Sequence, residues 1–154
     1  MTVRLSDGLR TDMLEGGSLE SALALGFIII YTGAQPAAAN DVATGTLLVT
    51  ISVGDADVGL TFDAIVTAGT LAKAAAETWS GTAAATGTAG WFRFHELATN
   101  RAGTITAAAA SSTTAKRLDG SIAVSGGDLQ MSNTAIVLAA IQTVSTFNLT
   151  LAAQ

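Results

Sequence analysis

The chain has 154 residues, 49% of them apolar but only 5% aromatic and 12% charged, so it is long enough for one domain with a real core yet has about half the usual share of charge. A net charge of −5 and a pI near 4.5 argue against nucleic acid as a partner, because phosphate contacts need clustered Lys and Arg and the seven here are scattered. Cysteine is absent, which removes disulfides and thiolate metal sites, and no apolar run approaches the roughly 18 residues of a membrane span. The first 17 residues lack the charged and apolar regions of a secretory signal, so the expectation is a soluble protein made in the cytosol, with no membrane partner. Export by a specialised route stays open. A surface dominated by Ala, Thr, Ser and Gly points to extensive contact with other subunits or to a secreted protein.

Residues 6–14 carry a helical start: Ser6 or Asp7 can cap, and Leu5, Leu9 and Met13 recur at helical spacing before Gly16-Gly17 stops the helix. Residues 18–25 add a second short turn with Leu19 and Leu23 on one side, so helix is expected only at the front. Phe27, Ile28, Ile29, Ile30 and Tyr31 then read as a central strand. Phe27, Ile29 and Tyr31 face one way and Ile28 and Ile30 the other, so both faces must be covered. Pro36, the one proline, cannot continue the ladder.

Residues 46–53 alternate with Leu47, Val49, Ile51 and Val53 inward, and residues 54–57 turn into a further strand carrying Val58, Leu60 and Phe62. Residues 65–79 are ambiguous between helix and strand, with strand favoured by their flanks. Residues 86–97 form a second strong strand with Phe92 and Phe94 on one face and Trp91, Arg93 and His95 on the other. Residues 99–116 read as a long connection that could hold a short strand at 103–107. Ile122 and Val124, then Leu129 and Met131, then residues 133–144, and finally Phe147, Leu149 and Leu151 supply the remaining strands. The fold class expected is all-β: a β-sandwich or jelly roll of about eight short antiparallel strands after a short helical segment. The division is an N-terminal arm, 1–25, and a β domain, 26–154.

Reactive constellations are hard to assemble from this chain, and the reading is not an enzyme, with no cofactor and no metal. His95, the sole histidine, stands between Phe94 and Glu96 on a strand, so a structural role is expected. Asp55 and Asp57 could face a cation, but their loop lacks a full calcium ligand pattern and an ordinary turn is favoured. No Ser lies in a Gly-x-Ser-x-Gly setting. Tyr31, Trp79 and Trp91 could line a sugar-binding face; their apolar neighbours favour the core instead. Arg4 and Arg10, on an amphipathic front segment, suit either docking on a partner or a plain surface helix.

Several segments together resemble a known family. Residues 31–36 (YTGAQP) with 44–48 (TGTLL), residues 87–93 (GTAGWFR), and Gly120-Ser121 leading to Gly126-Gly127-Asp128-Leu129 resemble small virion structural proteins of tailed bacteriophages and prophages. Residues 107–116 and 74–77 depart from that pattern. The resemblance implies a head decoration (cement) protein of jelly-roll type that binds the major capsid protein and itself as a dimer or trimer. It would reside on the capsid surface of the virion after synthesis in the host cytoplasm. The alternative is a tail or adsorption component, at a fibre or baseplate, that contacts the host surface. The front segment is expected to make the partner contact through Arg4, Leu5, Leu9, Arg10 and Met13.

Overall fold

A computed structural model describes residues 3–150. Its elements are β1 (Arg4–Leu5), α1 (Asp7–Leu14), α2 (Leu19–Leu23), β2 (Phe27–Thr32), β3 (Leu47–Val53), β4 (Thr70–Ala72), β5 (Trp79–Thr82), β6 (Gly87–His95), α3 (Arg101–Ala109), β7 (Arg117–Ala123), β8 (Leu129–Gln130), β9 (Ala135–Ile136), β10 (Ile141–Val144) and β11 (Asn148–Thr150). The protein is mainly strand with few helices, as the all-β reading expects. The main sheet runs β1-β7-β6-β2-β3-β5-β10, with β8 attached to β7 and β9 to β6, while β4 and β11 pair as a separate ribbon. Every described pairing is antiparallel except β7 with β8.

β2 sits in the middle of that path because its β-branched run buries on both faces. Inward, Ile28 and Ile30 meet Val49, Ile51, Phe92, Phe94 and Leu118, under Leu71 and Leu149 of the ribbon and a ring cluster of Phe62, Trp79 and Phe147. Outward, Phe27, Ile29, Tyr31 and Trp91 form a second cluster, closed by Ile105 and Ala108 of α3 and by Ala43 and Leu47. Tyr31 and Trp91 stack with centroids 4.6 Å apart. Each large side chain so buried stabilises the fold by about 1.5–3 kcal/mol.

Gly90 marks where β2 and β6 slip register: Tyr31 pairs with Trp91 but Thr32 with Ala89. A Cβ on Gly90 would lie 2.0 Å from the Gly33 carbonyl oxygen, and Gly33 itself turns at φ +78. Only a bare backbone fits both conditions.

The strand alternation at 86–97, the buried positions of Trp79, Trp91 and Tyr31, and the two front helices agree with the sequence reading. Three expectations do not. Helix is not confined to the front, and residues 103–107 are not a strand: they lie inside α3, whose N-cap Asn100 accepts from Gly103 N–H at 2.8 Å. Residues 58–62 make only isolated bridges at Leu60 and Phe62, leaving Val58 exposed. In β3, Ile30 pairs with Val49 but Tyr31 with Leu47; this bulge sends Leu47 to the outer cluster while Leu48 joins the inner one. Of the final strand, Phe147 and Leu149 are buried, and Leu151 lies outside the described residues.

Candidate functional site

The charged side chains divide between those held inside the molecule and those at its surface. On the outer face of the sheet, cross-strand pairing places Ile29, Arg93, Asp119 and Arg4 in one row and Phe27, His95 and Arg117 in the next. Arg93 donates from Nε and Nη2 to the two carboxylate oxygens of Asp119, each at 2.7 Å, with both side chains fully buried. This fork-to-fork pairing is the strong form of the interaction. The remaining Nη1 donates to the Ala108 carbonyl at 2.7 Å and the Asp41 carbonyl at 3.1 Å.

Arg117 completes the arrangement by donating to the Ala107 and Ala110 carbonyls at 2.7 and 2.8 Å. Two guanidinium groups therefore bond the Ala107, Ala108 and Ala110 carbonyls at the C-terminal end of α3, where the helix dipole favours positive charge. The other end is held by acid. Asp57 accepts from the Arg101 backbone N–H at 2.8 Å, and Asp55 accepts from the Arg101 guanidinium at 3.0 Å. Asp55 also accepts from Thr82 N–H and Oγ1, and these bonds, with Arg101 beside it, carry its carboxyl below the usual range. An alanine-rich helix with little apolar area is thus seated on the sheet by charge at each end.

That seat explains two residues singled out in the sequence. Asp55 and Asp57 dock α3, and no cluster of three or more metal-ligating side chains occurs among the described residues. His95 is 2% exposed, its Nδ1 bonded to the Glu96 carbonyl at 2.7 Å. Burial, with Arg117 and Arg93 nearby, lowers its pKa to about 4, so it stands neutral at pH 7. Burial likewise lowers Arg117 to about 10 and raises Tyr31 and Asp119, the last against the pull of Arg93.

The five residues expected to meet a partner separate. Leu9 is 0% exposed and belongs to the inner core, so it is not a surface contact; helical spacing told that it was apolar, not which way the helix faced. Nor does the front segment stand apart from the β domain. β1 pairs with β7, and Ser6, the N-cap of α1, donates to Ala115, accepts from the Arg117 N–H and is itself buried.

Arg4, Leu5 and Arg10 do come together, around a cleft of about 360 Å³ completed by Asp7, residues 37–39 and Asn40. Arg4 donates to the Pro36 carbonyl, and Arg10 pairs with Asp7, which Asn40 also holds. Arg10 and Asn40 keep the Asp7 carboxyl below its ordinary value. Leu5 continues into an apolar groove of about 220 Å³ with Val3, Met13, Leu19, Leu118 and Leu149. Arg4, Leu5, Arg10 and Met13 therefore border one continuous surface, its apolar half on one side of Leu5 and its charged half on the other.

Sequence reading missed the seat of α3, because Arg93, Asp119 and Arg117 are brought together by cross-strand register, and nothing in their spacing announces it. No protein-family model, curated protein or solved structure matches the chain.

Proposed function

We propose that this protein is a non-enzymatic structural component of a tailed-bacteriophage or prophage virion, a head decoration protein that binds the assembled capsid lattice. What carries the reading is the disposition of charge. Each basic side chain is engaged within the chain: Arg4, Arg10, Arg93, Arg101 and Arg117 as above, Lys73 on the Ala74 and Glu77 carbonyls, and Lys116 on Asp12 at 2.8 Å. Beside its carboxylates, the outside carries small residues and exposed apolar ones such as Leu14, Ile65, Val66, Val137, Leu138 and Ile141. Such a surface suits close, repeated protein contacts, with affinity gained from many copies.

In this reading the ribbon of β4 and β11 over the main sheet is the second layer of a sandwich in the jelly-roll manner. The chain bridges neighbouring major capsid subunits and stabilises the expanded shell by binding only its assembled form. The surface bordered by Arg4, Leu5, Arg10 and Met13 is the assigned contact. The test is co-sedimentation of the purified chain with expanded heads lacking it, alongside Arg10→Glu and Met13→Lys. Saturable binding weakened by both substitutions supports the reading; absence of binding refutes it, and particle labelling at the tail tip alone replaces it with the adsorption role.

A further inference from the structure

Among the described strands the main sheet ends on β10. Among the described strands β10 pairs only with β5, Ile141 opposite Thr82 through Val144 opposite Trp79. Ala83 N–H donates to the Ala140 carbonyl, whereas Thr82 N–H is taken by Asp55 and Ala84 N–H by the Leu48 carbonyl, so odd-numbered β5 residues turn their backbone toward β10. Ladder bonds alternate along an antiparallel pair, which assigns Gln142 and Val144 to β5 and turns the N–H and C=O groups of Ile141 and Thr143 outward. On one face of β10 Thr143 is exposed and Ile141 is 70% exposed, while Val144 on the other face joins the core.

An edge of this kind is normally guarded by lysine, proline or a covering loop. Among the described residues β10 itself carries no lysine or proline, and no strand pairs with its outer side. From residue 120 to residue 154 Asp128 is the one charged residue, and there is no proline. Exposed Val137 and Leu138 flank the start of the strand, and alongside its far end a cleft of about 580 Å³ lies between residues 127–132 and 143–148. The outer flank of β10 therefore has room for another strand.

We propose that β10 is a self-association edge: two copies of this chain pair β10 to β10, antiparallel about a two-fold axis, and continue the sheet from one copy into the other. A second copy fits because a two-fold axis generates an antiparallel pair of identical strands, and an uncharged strand has nothing with which to repel itself. Outward groups at 141 and 143 fix the register: Ile141 of one copy opposes Thr143 of the other, with Gln142 facing Gln142 at the axis. Apolar Val137, Leu138 and Ile141 of each copy then lie along the seam. This deepens the assembly reading, on which it rests for the choice of partner.

Light scattering and sedimentation of the full chain, without capsids, test it. The unmodified chain is expected at twice its monomer mass. Thr143→Pro removes an outward N–H and spares the β5 ladder, so it is expected as a folded monomer with an unchanged circular-dichroism melt. Should that variant unfold, Ile141→Lys with Thr143→Lys places like charges on the seam and is expected to give the same monomer. Because the chain has no cysteine, Gln142→Cys is a clean probe: it is expected to cross-link across the axis on mild oxidation, and Ser125→Cys is not. A monomeric or trimeric parent chain, a folded Thr143→Pro dimer, or an uncross-linked Gln142→Cys dimer overturns the pairing. A monomer that still binds heads refutes the pairing alone, and a dimer that ignores heads refutes only the capsid reading.

Discussion

Replacing Asp119 by alanine tests the central claim about how α3 is held. The substitution leaves Arg93 fully buried without its two 2.7 Å carboxylate bonds, next to the second guanidinium of Arg117 on the adjacent cross-strand row. Breaking a buried pair by removing one partner costs about 3–5 kcal/mol. Against a domain stability of roughly 5–15 kcal/mol that is a large fraction, equivalent to about a thousandfold in the folding equilibrium. Arg93→Met with Asp119→Leu removes both charges, an exchange that is often neutral or stabilising when the replacements pack, and leaves the buried Ala108 carbonyl short of a donor at a cost of about 1–3 kcal/mol, while the carbonyl of exposed Asp41 can turn to water. The double variant is therefore expected to be more stable than the single one. Urea unfolding followed by circular dichroism gives the free energies. Fluorescence adds a local readout, since Trp91 lies under α3 and Trp79 lies in the inner core. Asp119→Ala costing less than about 1 kcal/mol, or a double variant weaker than the single one, would refute the reasoning.

His95 gives a pH signature. Its folded pKa of about 4 lies below the unfolded value of 6.5, so its contribution is complete above pH 6.5 and is lost as pH falls toward 4. The loss amounts to about 3 kcal/mol, and urea midpoints between pH 7 and 4.5 should fall for the parent chain and flatten for His95→Gln. Leu25 is half exposed in the left-handed region at φ 63, where a glycine is unstrained; Leu25→Gly should raise the melting temperature, with a gain of about 1 kcal/mol. Gly90→Ala drives a methyl group into the Gly33 carbonyl and should destabilise by about 1–3 kcal/mol, measured by thermal melting.

How much of this was legible depended on whether a signal was local. The run 27–31 announced a strand covered on both faces, since aliphatic or aromatic residues at every position leave no side for water. Phe92 and Phe94 against Trp91, Arg93 and His95 were separable by parity alone. α3 was not: Gly103, Thr104, Ile105 and Thr106 weaken helix propensity, and the charges that hold it lie on β6, β7 and residues 55–57. Leu9 carried the right spacing but no information on which neighbour its face would meet. The edge position of β10 was equally hidden, because an edge strand and an interior strand can share one alternation and differ only in topology.

Two of the seven cations and one of the twelve anions are enclosed beneath α3, where their fields are largely confined. Those three groups sum to +1, so the formal −5 of the whole chain becomes −6 on the exterior. Seen from a distance the molecule is therefore more anionic than its composition states. It is steered toward basic protein surfaces and repelled by exposed polyanions, and its encounter rate with a cationic lattice should fall as ionic strength rises.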